Sequence, residues 1–219
     1  MSIVLTGTQQ WTNSYSLTGN TTFTAMARVN INPAFATSTF DIITQWQTGT
    51  RQAFRLLYSN GKFIATAGHV FYILFIFPVY GEINVTDPNN SSTDRWYHIA
   101  VTWVNRTLTL YVNGESVGVA SHNNTTLPAE SFTLGAVRTG NSSFTNYVQG
   151  EVRDVRLYST ALHPNVIQTI STLEEYDVIH DNIISRWPFF GPPGSIMSEI
   201  TDSSGAIEPF PTNNNITYG

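Results

Sequence analysis

The sequence predicts an all-β fold: a two-sheet antiparallel sandwich of jelly-roll type, with one short helix after the last well-patterned strand. Three observations point there. Apolar and polar residues alternate with period two in one segment after another. Turn residues separate these segments at hairpin spacing, and only one stretch has the apolar spacing and start signal of a helix. At 219 residues the chain is read as one domain spanning 1–219, with the tail 183–219 completing the sandwich.

The best-patterned stretch runs from Arg95 to Gly114. Tyr97, Ile99, Val101 and Trp103 share one face and are assigned to the core, opposite Trp96, His98, Ala100 and Thr102. A turn at Asn105-Arg106 leads to a second strand with Leu108, Leu110 and Val112 on one face. Asn113-Gly114 supplies the positive φ angles of a tight hairpin, and Val117 and Val119 begin a third strand.

Taken from the start, Ile3–Leu5 and Trp11–Leu17 read as edge strands, and Thr22–Ile31 alternates until Asn32-Pro33 breaks it. Phe40–Trp46 is the next strand. Gln52–Tyr58 and Lys62–Thr66 form a hairpin across Ser59-Asn60-Gly61. His69–Phe77 reads as a separate long strand stopped by Pro78, and Gly81–Thr93 as a loop turning at Asp87-Pro88-Asn89-Asn90. Phe132–Ala136 and Glu151–Tyr158 are strands flanking a loop, Val137–Gln149. Pro164 opens the helix, which shows Val166, Ile167 and Ile170 on one side. Thr172–Ile184 reads as helix or turn, and Ile183–Phe190 as a last strand.

Composition narrows the function classes. Hydrophobic residues make up 41% and aromatics 13%, enough for a large core, whereas charged residues are only 11% against roughly 25% in ordinary soluble domains. Asn, Thr, Ser and Gln must therefore supply the polar surface. The formal net charge is −5 and Lys62 is the only lysine, so nucleic acid is not an expected partner. With no cysteine there is no thiol nucleophile, thiolate metal site or disulfide. The N-terminus lacks the features of a signal peptide, so the expected location is cytoplasmic or non-classically secreted. Val70–Tyr80 is apolar but too short to cross a bilayer, and is read as a buried strand or the interface of a homodimer. Nine Asn-x-Ser/Thr triplets, such as Asn84 and Asn141, are what an Asn/Thr/Ser-rich chain generates by chance.

The segment 95–162 resembles the concanavalin-A-like, laminin-G-like jelly-roll superfamily. Trp96, His98, Ala100 and Trp103 carry the likeness, followed by Leu110-Tyr111-Val112-Asn113-Gly114, Leu134-Gly135, Gly150 to Tyr158 and Ala161-Leu162. The tail departs from the usual order: Arg186-Trp187-Pro188-Phe189 with Asp202-Ser203-Ser204-Gly205 looks like the start of such a domain, placed here at its end. The resemblance implies carbohydrate or glycoconjugate binding as the commonest role, with catalysis in some branches. The cysteine-free, Asn/Thr-rich character is similar to fungal fruiting-body lectins.

Catalytic patterns are missing. Sandwich glucanases place their two carboxylates in an E-x-D-x-x-E run, and here the nearest approach is Glu151 and Asp154. Their spacing puts them on opposite faces of a regular strand, so they read as surface charges on an outer face. The five histidines show no metal-ligand spacing. No cofactor is required, though calcium is possible: Asp202 is the first candidate ligand, and Asp87 with Asn89 the second. A sugar site asks for an aromatic platform and planar hydrogen-bonding groups. Trp46, His69, Tyr72 and Tyr80, with Arg138, Asn141, Asn146 and Tyr147 from one loop, are the candidates; His122 and Asn123 form another loop cluster. The expected protein is a lectin with glycans as partners. The alternatives are a glycoside-active enzyme with a divergent carboxylate pair drawn from Glu174, Glu175, Asp177, Glu199 or Asp202, or a protein-binding adhesion module.

Overall fold

The computed structural model describes residues 2–13, 17, 21–49, 51–73, 77–122, 130–173, 182–187, 189, 199–200, 210–211 and 217–218, with the backbone alone at 11, 13, 51, 69–73, 77–78, 80, 199–200, 210–211 and 217–218. The strands are β1 (Ile3–Thr6), β2 (Trp11–Asn13), β3 (Thr22–Ile31), β4 (Thr39–Gln47), β5 (Arg51–Ser59) and β6 (Lys62–Ile73). They continue with β7 (Phe77–Thr86), β8 (Trp96–Val104), β9 (Thr107–Val112), β10 (Glu115–Ser121), β11 (Phe132–Leu134) and β12 (Val137–Arg138). The last are β13 (Phe144–Thr145), β14 (Gln149–Tyr158), β15 (Ile183–Trp187), β16 (Glu199–Ile200), β17 (Phe210–Pro211) and β18 (Thr217–Tyr218); among the described residues one α-helix, α1 (Pro164–Thr172), lies between β14 and β15, and a short 3-10 turn covers Pro33–Phe35.

Two sheets form the sandwich. The first has the order β10-β9-β8-β3-β14-β1-β18, with β15 also pairing β14. The second runs β13-β12-β4-β5-β6-β7, and β11 joins β4 to β2. β16 and β17 pair separately. Between the two sheets lies the core, where Phe23, Ile99, Val101 and Leu110 from one face Phe40, Phe54, Leu56 and Phe63 from the other. Phe23 and Phe54 meet across the layers at 4.7 Å between ring centres. A chain of rings, Phe40–Tyr58–Phe63–Tyr97, crosses between the sheets at 5.9, 5.6 and 5.2 Å.

The β8–β9–β10 meander forms as its alternation requires, and its turns take positive φ at Asn105 (49°), Arg106 (68°), Asn113 (51°) and Gly114 (84°). Several expectations are corrected. β1 is no edge strand, because it lies between β14 and β18. Pro78 does not stop a strand. It sits inside β7, opposite Tyr72, and Lys62–Ile73 is one continuous β6. β7 lies at the end of its sheet's strand order, and an edge strand tolerates the missing proline N–H. Gly81–Thr86 is accordingly strand and not loop. Within the loop 137–149, β12 and β13 make a small hairpin too short for any periodic signal.

The strand after Gly150 also departs from regular alternation. A bulge between Arg153 and Arg156, with Asp154 at φ 49°, carries Asp154 onto the same outer face as Arg156 and Arg186. There it is mostly buried, not a free surface charge: Asp154 accepts hydrogen bonds from Arg156 Nε (2.9 Å) and Nη2 (2.7 Å) and from Arg186 Nε (2.9 Å).

Helix α1 lies across this outer face of the first sheet. His163 Nδ1 caps its start by accepting from Asn165 N–H (3.3 Å), and Pro164 occupies the first turn. Ile167 and Ile170 pack on Met26, Ala100, Tyr111, Tyr158 and Leu162. At the other end Arg28 Nη2 donates to the carbonyls of Ile170 (2.8 Å), Ser171 (3.0 Å) and Leu173 (2.8 Å). A nine-residue helix is marginal in water by itself, so this packing and the guanidinium clamp hold it. No described helix is long and apolar enough to cross a membrane.

Candidate functional site

α1 covers part of the first sheet, and on the outer face of the second sheet a separate set of polar side chains converges. Asp41 sits near the start of β4, fully buried, at a register shift between Asp41 and Ile43. Arg55, on the outward side of β5, reaches it through Nε (2.6 Å) and Nη2 (2.8 Å), a bidentate pair. Asn146 completes the carboxylate: its Nδ2 donates to Asp41 Oδ2 (2.9 Å), and its carbonyl accepts from Asp41 N–H (2.9 Å). Asn146 has φ 54°, a left-handed conformation that Asn adopts more readily than most residues. Farther along β4, Trp46 lies beneath the same guanidinium, with Arg55 Cζ 5.4 Å from its ring centre. Trp46 is only 2% exposed, so it supports Arg55 and does not offer an open stacking platform.

The β12–β13 hairpin borders this cluster. Arg138 pairs with Gln47 at the end of β4, lies 5.5 Å from the Phe144 ring and approaches Glu130 at 3.6 Å. There Arg138 Nε and Glu130 Oε2, and on β11 Thr133 Oγ1, are buried and make no hydrogen bond to any described residue. Buried polar atoms in native folds are normally satisfied, by protein or by ordered water.

The fold therefore gathers Trp46, Arg138 and Asn146 on the second sheet and its flanking hairpin. Asn141 is exposed and Tyr147 half-buried in the same segment. His69 and Tyr72 are on β6 and Tyr80 on β7, with His69 opposite Gly81; their side chains lie outside the described residues. Asp202, Asn123 and the acidic segment 174–181 are also outside them. Asp41 and Arg55, the centre of the network, were missed by sequence reasoning: they belong to different strands, and only the pairing of β4 with β5 brings them together.

Elsewhere, Asp87 is buried, and its Oδ1 accepts from Asn89 N–H (2.9 Å), an Asx turn that uses this carboxylate structurally. Among the described residues no group of three or more His, Asp or Glu side chains could hold a metal ion. His98 is buried beside Arg28, Asp154 and Arg156; burial first, then the charge of Arg28, lowers its pKa to about 3. Burial pushes the Asp154 carboxyl up, but the hydrogen bonds and charge of Arg156, joined by Arg186, outweigh it and hold it below the usual carboxylate range.

Among solved structures, a candidate carbohydrate-binding protein from Bacteroides ovatus is similar over 99% of this chain, with TM-score 0.68 and 19% identity. The chain spans 60% of that protein's length. The CBM40 module of a Ruminococcus gnavus IT-sialidase, in a complex with α2,3-sialyllactose, matches 78% of this chain and 95% of its own at TM-score 0.59 and 13% identity. A heptameric SAP-like pentraxin from Limulus polyphemus matches 78% of this chain and 81% of its own, at TM-score 0.51 and 16% identity. At these identities the likeness is one of fold. No curated protein matches the sequence. The family model of concanavalin A-like lectins and glucanases matches residues 6–168, about three quarters of the chain, and the chain belongs to that superfamily.

Proposed function

We propose that this protein is a lectin, binding glycans without covalent chemistry on the outer face of its second sheet. The observation that carries the reading is the ordered network of Asp41, Arg55 and Asn146, with Arg138 on the flanking hairpin opposite Gln47, at the other end of β4. Planar guanidinium and amide groups, held in place before a ligand arrives, suit paired sugar hydroxyls and lower the entropy lost on binding. Arg55, Arg138, Asn146 and Tyr147 supply the contact surface and Trp46 its support; Asn141 lies at the rim, and His69, Tyr72 and Tyr80 belong to β6 and β7 of the same sheet. The carboxylates Asp41 and Asp154 are committed to arginines, which supports binding over acid–base catalysis. The likeness of composition to fungal fruiting-body lectins agrees with this role.

Single-sugar affinity is expected to be weak, on the order of millimolar, so useful binding calls for multivalency. The β6–β7 ribbon continues from Val70 to Ile73 and from Phe77 to Tyr80, beyond the last β5–β6 pair at Phe54 and Ala67. Its apolar sequence makes it the proposed homodimer interface, and a strict monomer in concentrated sedimentation runs would remove that part of the reading.

A glycan array probed with the full chain, with and without EDTA, tests the function. Binding to a defined sugar set, weakened about tenfold or more by Arg55→Ala or Arg138→Ala, is the expected result. Loss in EDTA would add a calcium ion to the site. A blank array in both conditions would replace the lectin with a protein-binding module, and turnover of a polysaccharide would replace it with a hydrolase.

A further inference from the structure

We propose a second ligand site, on the other sheet, that takes a small polyol carrying a protonated amine, such as a free amino sugar. A cavity of about 450 Å³ opens where β1, the end of β3 and the start of β14 meet, within the range typical of small-molecule sites. The strand register sets Val4, Glu151 and Asn30 side by side on the outer face. Asn32, Pro33 and Phe35 wall one side, and Asp94 lines another, its N–H bonded to the Ile31 carbonyl at 3.0 Å. The segments are tied together by Asn32 N–H donating to the Gln149 carbonyl (3.1 Å).

The chemistry of the lining selects the guest. Glu151 and Asp94 contribute two carboxylates, and no lysine or arginine lines the cavity. Arg153, on the same strand as Glu151, is stacked over Trp96 with Cζ 4.2 Å from the ring centre. Ser2 Oγ donates to Glu151 Oε2 (2.5 Å), which fixes that carboxylate in place. Asn30 Oδ1 is buried and makes no hydrogen bond to any described residue. Acceptors thus outnumber donors, and a guest must bring hydrogens and positive charge. An ammonium offers three donors and no acceptor, while hydroxyls answer the amides of Asn32 and Gln149. Val4, Pro33 and Phe35 give the apolar contact that a sugar ring's C–H face requires. A bare divalent ion fits less well: calcium takes six to eight oxygens, and no described group of three acidic or histidine side chains is present.

The test is an NMR titration of the full chain with D-glucosamine, with D-glucose, N-acetylglucosamine and calcium chloride as comparators. Glucosamine is expected to shift the amides of Asn30, Asp94 and Gly150 with millimolar affinity, about tenfold tighter than either uncharged sugar. Asp94→Asn and Glu151→Gln should each weaken it about fivefold. Asp94 is exposed and its φ of 59° suits Asn, so this variant keeps the fold, and its result stands even where Glu151→Gln does not fold. Equal affinity for glucose or N-acetylglucosamine, indifference to Asp94→Asn, or perturbation of the same amides by calcium alone would overturn the proposal.

Discussion

Asp41 is a fully buried charge, tolerable because Arg55 and Asn146 surround its carboxylate with donors. Removing one partner of such a pair costs more than the pair itself contributes, since the remaining charge stays buried without compensation. Arg55→Ala is therefore expected to lower stability by about 3 kcal/mol in denaturant unfolding, besides its effect on glycan binding. A change below about 1 kcal/mol would mean that solvent reaches Asp41 in the variant. His98 makes a second prediction. Its folded pKa of about 3 lies below the unfolded value near 6.5, so the fold favours the neutral ring. Its stabilising effect is complete above pH 6.5 and is lost as pH falls from there toward 3, with a slope approaching 1.4 kcal/mol per pH unit. Asp154, depressed, adds its own loss only below about pH 4. Unfolding midpoints at pH 7, 5.5 and 4.5 should fall for the native protein and flatten in His98→Asn; equal slopes would exclude His98 as the cause.

Among the elements, the helix and the β9–β10 turn fit closely. A side chain at Gly114 would meet Ser171 Oγ at 2.4 Å and Gln168 Cα at 2.8 Å, and its φ of 84° is costly for any L-residue. Gly114→Ala should destabilise by about 2 kcal/mol and loosen α1, read as faster amide exchange at Ile167 and Ile170. Unchanged exchange would show that the helix is held mainly by Arg28. The meander was legible in sequence because Tyr97–Trp103 and Leu108–Val112 bury one face each, and burial imposes period two. What was not legible had local causes. The bulge at Asp154 inverts the parity on which the facing of Glu151 and Asp154 was judged, and Pro78 signals a break only if its strand is internal. At the site, the loop candidates Arg138 and Asn146 were found by residue type, whereas Asp41 and Arg55 looked like ordinary strand residues until their pairing was known.

At the scale of the molecule, the two outer faces have been put to different uses: α1 seals part of the first, and the second presents its charged network. The position of β3 also governs how fast the molecule forms. β3 lies between β8 and β14, so Thr24 waits for Thr102 on one side and Tyr158 on the other, while β8, β9 and β10 need only their neighbours. Closing such long loops before any contact rewards them makes all-β proteins of this kind slow, on the order of milliseconds to seconds. The meander is then the natural nucleus. Leu110→Ala should slow refolding in proportion to its loss of stability, and Val152→Ala in β14 should chiefly speed unfolding; the reverse pattern would place the nucleus in β14. On a ribosome the consequence is sharper, because β3 emerges long before either partner and must remain unpaired until the chain behind it has been made.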